Sequence, residues 1–372
     1  MRKVRTAVIG AGRLGGFHAQ KLAAMESVDL VAVVDPVAAQ RSRVAAECRT
    51  QPLADHRALF GKVDAVVVAA PTLLHHQIGT DFLARGIHVL MEKPLAANFA
   101  DADALVRMAR ANGAILQVGH VERFNPALAA ASPHIESPKY IEAVRASGFT
   151  FRSTDIGVVL DLMIHDLDLV LSLVRSDIQR VQALGLSVLG GHEDVAHARL
   201  EFECGCVATL SASRVSYEAT RRMQIWSAQS YASLDFASRE ATLVLPSDCL
   251  RRRQFDADSL SAQQVDYFRQ HLLEEHLPRK VIQSPAVDAL ALEAMDFVES
   301  VRTGHAPRVT GEHGRKAVAV AEQILDRIHT HAWDDTADGP IGPLATPSPS
   351  VIPGPHWHLA PSETALPRKE AG

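Results

Sequence analysis

Lys93 is the residue whose position most directly suggests chemistry. It lies in the run Met91-Glu92-Lys93-Pro94-Leu95, at the end of an apolar segment. Because a proline disfavours helical geometry in the residue before it, the lysine side chain should project from the end of a strand. An ammonium group there could donate a hydrogen bond to a hydroxyl and stabilise the alkoxide that develops as the hydroxyl is oxidised. The alternative interpretation is a surface lysine paired with Glu92.

A second group of polar residues lies in segment 158–174, which is apolar around most of its circumference and predicts a buried helix. Asp161, His165, Asp168 and Ser172 follow at offsets of four, seven and eleven, so they form one stripe. Histidine is well suited to accept a hydroxyl proton near neutral pH, and Asp161 or Asp168 could hold its tautomer or raise its pKa. We therefore predict His165 as a general base.

Two other interpretations of this stripe stay open. The polar residues could form a satisfied internal network without a catalytic role. Asp161 and His165, one helical turn apart, could also share a metal ion, although no further ligand motif accompanies them. We expect no metal.

A glycine-rich turn follows the apolar segment Val4–Ile9 and precedes a helical pattern at 14–25; its sequence is Gly10-Ala11-Gly12-Arg13-Leu14-Gly15. Gly10 permits the tight turn, Gly12 lets the backbone approach a pyrophosphate, and Gly15 lets the helix pack closely on the strand. The first N–H groups of the helix then face the phosphates. The whole turn, including Arg13 and Leu14, is the predicted dinucleotide site.

Asp35 ends the second apolar segment, twenty residues beyond Gly15. An acid there accepts hydrogen bonds from the ribose hydroxyls, which favours NAD over NADP. Arg41 and Arg43 could still admit a 2'-phosphate, so NADP remains the less favoured alternative.

A third segment, Ala70-Pro71-Thr72, ends a predicted strand at the edge where the nicotinamide half of the cofactor would pass. His75 and His76 follow it. Either histidine could line the cofactor site, or could cap or pack the helix that begins there.

The pattern up to Gly119 alternates between strands and helices, which predicts a doubly wound parallel sheet. After Tyr140 successive strand-like runs lack intervening helices and predict a C-terminal α/β domain with a large open, mostly antiparallel sheet. We predict a nucleotide-binding domain at 1–120, a substrate and oligomerisation domain at 121–333, and a proline-rich, disordered or loosely attached tail at 334–372. One sheet face could meet a second subunit, so we expect a homodimer or homotetramer.

Composition agrees with an enzyme acting on a small molecule. The chain has 372 residues and a net charge of −5, which gives no electrostatic reason to bind nucleic acid or an anionic membrane. The groups Arg221-Arg222 and Arg251-Arg252-Arg253 are typical of solvated surface, although they could reach a diphosphate. No run is long and apolar enough to cross a bilayer. Four scattered cysteines fit reduced thiols and predict the cytoplasm.

Over residues 4–328 the sequence resembles the glucose–fructose oxidoreductase/inositol dehydrogenase (Gfo/Idh/MocA) family of NAD(P)-dependent oxidoreductases. The matching motifs are the glycine turn followed by His18, the run Ala70-Pro71-Thr72-Leu73-Leu74-His75, the signature Glu92-Lys93-Pro94, and Asp161-x-x-x-His165-x-x-Asp168. The resemblance implies a Rossmann domain joined to an α/β domain whose open sheet mediates dimers or tetramers. It also implies that Lys93 and His165 act on the reacting hydroxyl beside Asp161, and that a cis bond precedes Pro94.

Segments 118–126 and 151–166 look most like a subgroup that oxidises the 3-hydroxyl of UDP-N-acetylglucosamine to a ketone. In that subgroup an aminotransferase then makes a 3-amino sugar for lipid A. The resemblance makes Arg123, Asn125 and Arg152 candidates for substrate contact. An inositol, a free sugar or a UDP-sugar acid remains an alternative substrate. A non-catalytic NAD-binding regulator is a further alternative, against which the presence of Lys93, Asp161 and His165 argues.

Overall fold

The computed structural model describes residues 2–151, 153–333 and 339–344. Within these residues the strands form two sheets. The first sheet contains β1 (Val4–Ile9), β2 (Val28–Val34), β3 (Gln51–Leu53), β4 (Ala65–Val68), β5 (His88–Glu92) and β6 (Leu116–Gly119). Its spatial order is β3-β2-β1-β4-β5-β6, and the neighbouring strands run parallel. The predicted parallel sheet is therefore confirmed.

Helices connect these strands and cover both faces of the sheet. They are α1 (Arg13–Ala23), α2 (Ala38–Cys48), α3 (His75–Leu83) and α4 (Phe99–Ala111). Because both faces are covered, strand residues such as Val66, Val67 and Val68 are fully buried, which explains the uninterrupted apolar runs. The strand order reverses between β1 and β4, and ligands bind open sheets of this kind at the carboxyl ends of the strands near that reversal.

The second sheet has the order β14-β13-β12-β11-β7-β10-β9-β8. Its strands are β7 (Tyr140–Ala146), β8 (Ile178–Leu186), β9 (Val195–Phe202), β10 (Val207–Ser213), β11 (Thr220–Trp226), β12 (Tyr231–Asp235), β13 (Glu240–Val244) and β14 (Arg279–Gln283). Among them β7 and β10 run parallel, and the other described neighbours run antiparallel. The predicted mostly antiparallel sheet is confirmed.

The remaining helices are α5 (Pro126–Ala131), α6 (Ile164–Val174), α7 (Asp248–Arg251), α8 (Ala262–His271), α9 (Ala289–Thr303) and α10 (Gly311–His329). Although α9 comes late in the chain, its Phe297 packs in one apolar cluster with Val8 of β1. In α10, Val318 joins the core of the first sheet while Ile324 joins that of the second. α10 therefore packs against both sheets, and α9 packs against the first.

The described helices include none that is long and apolar enough to span a membrane. Of the predicted tail, residues 339–344 are described, and the backbone N–H of Ser187 donates to the Pro343 carbonyl at 2.8 Å. The expectation for the rest of the tail falls outside the described residues.

Candidate active site

The glycine turn between β1 and α1 is built on close backbone approaches. Gly10 has a φ of +98°, and a Cβ there would lie 2.4 Å from the Ala69 carbonyl oxygen. A Cβ on Gly15 would lie 1.8 Å from the Gly10 carbonyl oxygen. At Gly12, by contrast, no described atom lies within 4 Å of such a Cβ. Gly10 and Gly15 therefore allow the turn to form, and Gly12 faces open space beside the free N–H groups that begin α1.

Asp35, at the end of β2, holds this turn from the other side. Its Oδ2 accepts a hydrogen bond from the Ala11 N–H at 2.7 Å, and its Oδ1 accepts one from the Val37 N–H at 2.8 Å. A carboxylate has further lone pairs, so it can still accept from ribose hydroxyls. Arg41 donates to the carbonyl oxygen of Asp35 at 3.2 Å, and Arg43 is paired with Glu47 at 3.0 Å. The turn and this carboxylate fit the NAD dinucleotide.

Lys93, which directly follows β5, is bound to Asp161, which lies in the helical turn before α6. Its Nζ donates to the Asp161 backbone carbonyl at 2.6 Å and lies 3.0 Å from Oδ1 of the same residue. The Lys93–Pro94 bond is cis, as the resemblance implied. The predicted regular helix begins instead with a π-helical turn over Val159–Met163. The Asp161 carbonyl oxygen that the ammonium group contacts lies within this turn.

His165 lines the same cleft as Lys93 and Asp161. Its buried Nδ1 atom has no hydrogen-bond partner among the residues that the structure describes. Burial, assisted by the charges of Lys93 and Arg145, holds the pKa of His165 well below its usual value. The imidazole is therefore neutral and can accept a proton.

The expectation that Asp161 or Asp168 orients His165 or raises its pKa is not met. Asp161 forms an ion pair with Lys93 instead, and Asp168 pairs with Nε of Arg123 at 3.0 Å. The pKa shift also has the opposite sign, because burial and nearby cations both disfavour the imidazolium.

Behind Lys93 lies a buried acidic cluster. Glu92 Oε1 is 2.6 Å from Nε2 of His18, and Oε2 accepts the Lys93 N–H at 3.2 Å. Burial alone would raise the pKa of Glu92, but His18 and the charge of Lys93 hold it below its usual value. Burial and the Glu92 charge raise the pKa of Glu293 well above its usual value. Glu92 is thus the stronger acid of the two. It contacts the Lys93 backbone N–H and does not pair with the Lys93 ammonium as the surface interpretation required.

A buried ion-pair network lies behind the side of the cleft that is built by the second sheet and the segment carrying His165, here called the second wall. Arg145 of β7 binds Asp166 through Nε at 2.9 Å and Nη2 at 2.8 Å, and Glu122 through Nη1 at 2.9 Å. Asn125 donates to Glu122 at 2.9 Å and caps α5 by accepting the Ala127 N–H at 3.0 Å. Asn125 is therefore a structural residue here, and it lies outside the cleft lining.

His75 also serves the scaffold. The side chain is buried, with Nδ1 2.9 Å from the Pro94 carbonyl oxygen and Nε2 3.0 Å from that of Ala70. It connects the loops that follow β4 and β5, and burial lowers its pKa. His75 thus braces the predicted cofactor loop without lining the cleft.

One cleft of about 590 Å³ collects most of the predicted site. The predicted residues that line it are Gly12, Arg13, Leu14, Ala70, Pro71, Thr72, Glu92, Lys93, Asp161 and His165. Predicted residues outside the lining are Gly10, Gly15, Asp35, His75, Arg123 and Asn125. Arg152 falls outside the described residues.

Sequence reasoning missed several residues of the second wall, since Arg145, Ser147 and Asp155 line the cleft. Arg221, which the sequence predicted as solvated surface that could reach a diphosphate, also lines it, whereas Arg222 does not. His120 is buried edge-on to His165, with ring centroids 6.4 Å apart. For Arg145 a signal existed, because it occupies a position on the buried face of β7, where a charge needs partners.

Comparisons with known proteins agree with this architecture. The model of the GFO/IDH/MocA oxidoreductase family, NAD-binding Rossmann fold, matches residues 4–120, and the model of the GFO/IDH/MocA C-terminal domain matches residues 133–230. UDP-N-acetylglucosamine 3-dehydrogenase of Acidithiobacillus ferrooxidans is 35% identical over 87% of this chain and 97% of that protein. A solved structure of that dehydrogenase has a TM-score of 0.77 at 34% identity, covering 88% of this chain and 98% of that one.

More distant relatives share the architecture. The scyllo-inositol 2-dehydrogenase (NAD(+)) of Bacillus subtilis is 27% identical over 83% of this chain and 89% of its own length. Levoglucosan dehydrogenase, solved in complex with NADH, has the same fold, with a TM-score of 0.75 at 17% identity over 88% of this chain and 97% of that one. The chain belongs to the Gfo/Idh/MocA family of NAD-binding oxidoreductases.

Proposed function

We propose that this oxidoreductase oxidises the 3-hydroxyl of UDP-N-acetylglucosamine to a ketone with NAD. The observation that supports the chemistry most strongly is the cleft itself, which brings the open side of the glycine turn, the Lys93 ammonium and the neutral His165 imidazole together. The similarity to the dehydrogenase of Acidithiobacillus ferrooxidans supports the choice of substrate.

NAD, when bound, accepts the hydride that leaves the carbinol carbon. The residues of the chain handle the oxygen and its proton. His165, whose pKa is lowered mainly by burial, accepts the hydroxyl proton. Lys93 donates a hydrogen bond to the same oxygen and stabilises the alkoxide, while Asp161 fixes the ammonium by two contacts. Glu92 supports the Lys93 backbone from within the core.

A substrate screen tests the proposal. Purified protein and NAD are incubated with UDP-N-acetylglucosamine, UDP-N-acetylglucosaminuronic acid, free N-acetylglucosamine and myo-inositol, and NADH fluorescence is followed. We expect a signal with UDP-N-acetylglucosamine that exceeds the others. A larger signal with inositol or a free sugar would reject the nucleotide sugar. NAD binding without NADH from any compound would favour a regulator on the same fold.

We also propose roles for the two domains, an assembly state and a cellular compartment. We propose that residues 1–120 bind the dinucleotide, that residues 121–333 supply the substrate wall, and that the open face of the second sheet joins copies of the chain into a dimer or tetramer. An aminotransferase would consume the ketone. The four cysteines are free thiols, which suits the reducing cytoplasm where we place the enzyme. Light scattering of the purified protein tests the assembly, and a monomer would reject it.

A further inference from the structure

Arg221 is a positive charge on the cleft wall that has no ion-paired acid among the described residues. It is the second residue of β11 and is exposed, and within the described residues it forms no ion pair or side-chain hydrogen bond. Two other cations of the cleft are paired with acids: Lys93 lies 3.0 Å from Asp161, and Arg145 is held by Asp166 and Glu122. Arg13, on the glycine turn, lies over the Phe17 ring on the opposite side of the cleft lining. Among the described residues that come from the second sheet, Arg221 is thus the guanidinium that has no ion-paired acid and can bind an incoming anion.

The strand register explains why this charge faces the cleft. Arg221 of β11 lies directly opposite Arg145 of β7. Opposed residues of antiparallel strands project from the same face, and like charges placed there repel each other. Glu122 and Asp166 form ion pairs with Arg145, whereas Asp166 interacts with Arg221 only at longer range, through its charge. An anion bound to Arg221 would remove this repulsion.

The next residue provides a contrast. Side chains of a strand alternate between faces, so Arg222 points away from Arg221. Its Nε lies 3.1 Å from Oδ2 of Asp235 on β12, and it does not contribute to the cleft lining. Two neighbouring arginines of similar exposure thus differ in orientation and in partner, and Arg221 alone of the two can meet a ligand in the cleft.

The groups around Arg221 indicate the chemistry of that ligand. Ser147, Thr150 and Ser153 line the same cleft and add hydroxyl donors. A guanidinium presents a planar fork of donors that matches phosphate oxygens, and hydroxyl groups complete such sites. Asp155 also lines the cleft, and its Oδ2 has no hydrogen-bond partner within the described part of the chain. A carboxylate oxygen suits a ribose hydroxyl or a base N–H better than a phosphate.

We infer that Arg221 binds the diphosphate of a nucleotide-linked substrate and so makes the site select nucleotide sugars over free sugars and inositols. This inference rests on the proposed function, because it assigns the residue that recognises the charged part of that substrate. Free sugars and inositols carry no anion for Arg221 to bind.

Arg221→Gln tests the inference, with Arg222→Gln as the matched control. UDP binding to the NAD-loaded protein is measured by calorimetry, and KM and kcat are measured for UDP-N-acetylglucosamine. Loss of a charge-assisted hydrogen bond should raise the Kd of UDP and the KM by roughly 10- to 100-fold, with kcat and NAD affinity nearly unchanged. Arg222→Gln should match the wild type in all four quantities, and thermal melting should show both variants folded.

The outcomes separate the two proposals. Wild-type turnover of UDP-N-acetylglucosamine with an unchanged KM in Arg221→Gln would overturn the inference and leave the function standing. Weakened NAD binding in Arg221→Gln would assign the residue to the cofactor and overturn the inference. UDP binding that depends on Arg221, without turnover of UDP-N-acetylglucosamine, would support the inference and reject that substrate. A wild type that neither binds UDP nor turns over the nucleotide sugar would overturn both.

Discussion

The Nζ atom of Lys93 lies 2.6 Å from the backbone carbonyl oxygen and 3.0 Å from Oδ1 of Asp161, a residue 68 positions later in the chain. Lys93 follows β5 of the parallel sheet, and Asp161 belongs to the π turn before α6. The contact therefore joins the nucleotide-binding side of the cleft to the wall that carries His165. It fixes the ammonium where a substrate hydroxyl between the two walls can reach it.

Lys93→Met should lower kcat strongly and leave NAD affinity unchanged. The substitution keeps the length of the side chain but removes the hydrogen-bond donor to the developing alkoxide. Loss of one such donor lowers kcat on the order of 10²- to 10³-fold. Steady-state NADH formation and fluorescence titration with NAD measure the two quantities. Lys62→Met, at an exposed position, is the control. A Lys93→Met enzyme with normal kcat would remove Lys93 from the mechanism.

The pH dependence of kcat/KM should report the lowered pKa of His165. The base form acts, and its proton affinity in the folded protein is reduced mainly by burial and then by Lys93. We expect kcat/KM to stay level as the pH falls from 8 to about 6.5, the ordinary histidine value, and to decline only below it. His165→Gln should lower kcat by about 10²- to 10⁴-fold. A decline that begins above pH 7 would contradict the assignment.

Gly12→Ala should weaken NAD binding without destabilising the protein. Gly12 has a φ of −66°, and no described atom lies within 4 Å of an added Cβ, so the folded chain accepts the methyl group. The methyl then fills the space where the pyrophosphate approaches, at a cost of about 1–3 kcal/mol of binding free energy. Gly190→Ala, where the surroundings are equally open, is the matched control. NAD titration and thermal melting measure both effects, and equal NAD affinities would contradict the placement of the dinucleotide.

Glu293→Gln should stabilise the protein at alkaline pH. Burial and the Glu92 charge raise the pKa of Glu293 in the folded state, so folding takes up a proton above the unfolded pKa of about 4.3. Stability from this group is complete below that value and is lost as the pH rises through the folded pKa. Glutamine is neutral and needs no proton, so its advantage in the free energy of unfolding should grow from pH 5 to pH 8. Glu299→Gln, exposed on the same helix, should show no such trend; an equal trend in both variants would reject the explanation.

Much of the fold was predictable because the patterns are local. The valine run of β4, the glycine turn and the helix α10 each follow from residues close together in the sequence. Short strands were missed: β3 has three residues, and β14 is largely exposed and begins with Arg279 and Lys280. Such strands are defined by their neighbours in the sheet and have no apolar pattern of their own.

The site was predictable only in part, for a related reason. Lys93 and His165 were found because each belongs to a recognisable local motif. Arg145 is held by Glu122 and Asp166. Glu293 of α9 lies close to Glu92 of β5, although the two are far apart in the sequence. These contacts depend on how the two sheets pack. The π turn at Asp161 was missed because the periodicity of segment 158–174 is that of a regular helix.

The central claim is that this cleft removes hydrogen from C3 of a nucleotide sugar and passes it to NAD. UDP-N-acetylglucosamine deuterated at C3 tests it directly, with mass spectrometry of the reduced cofactor after one turnover. The account predicts that the deuterium appears in the reduced nicotinamide, and that a substrate deuterated at C4 gives unlabelled NADH. Deuterium retained on the sugar while NADH forms, or no NADH at all, would contradict it.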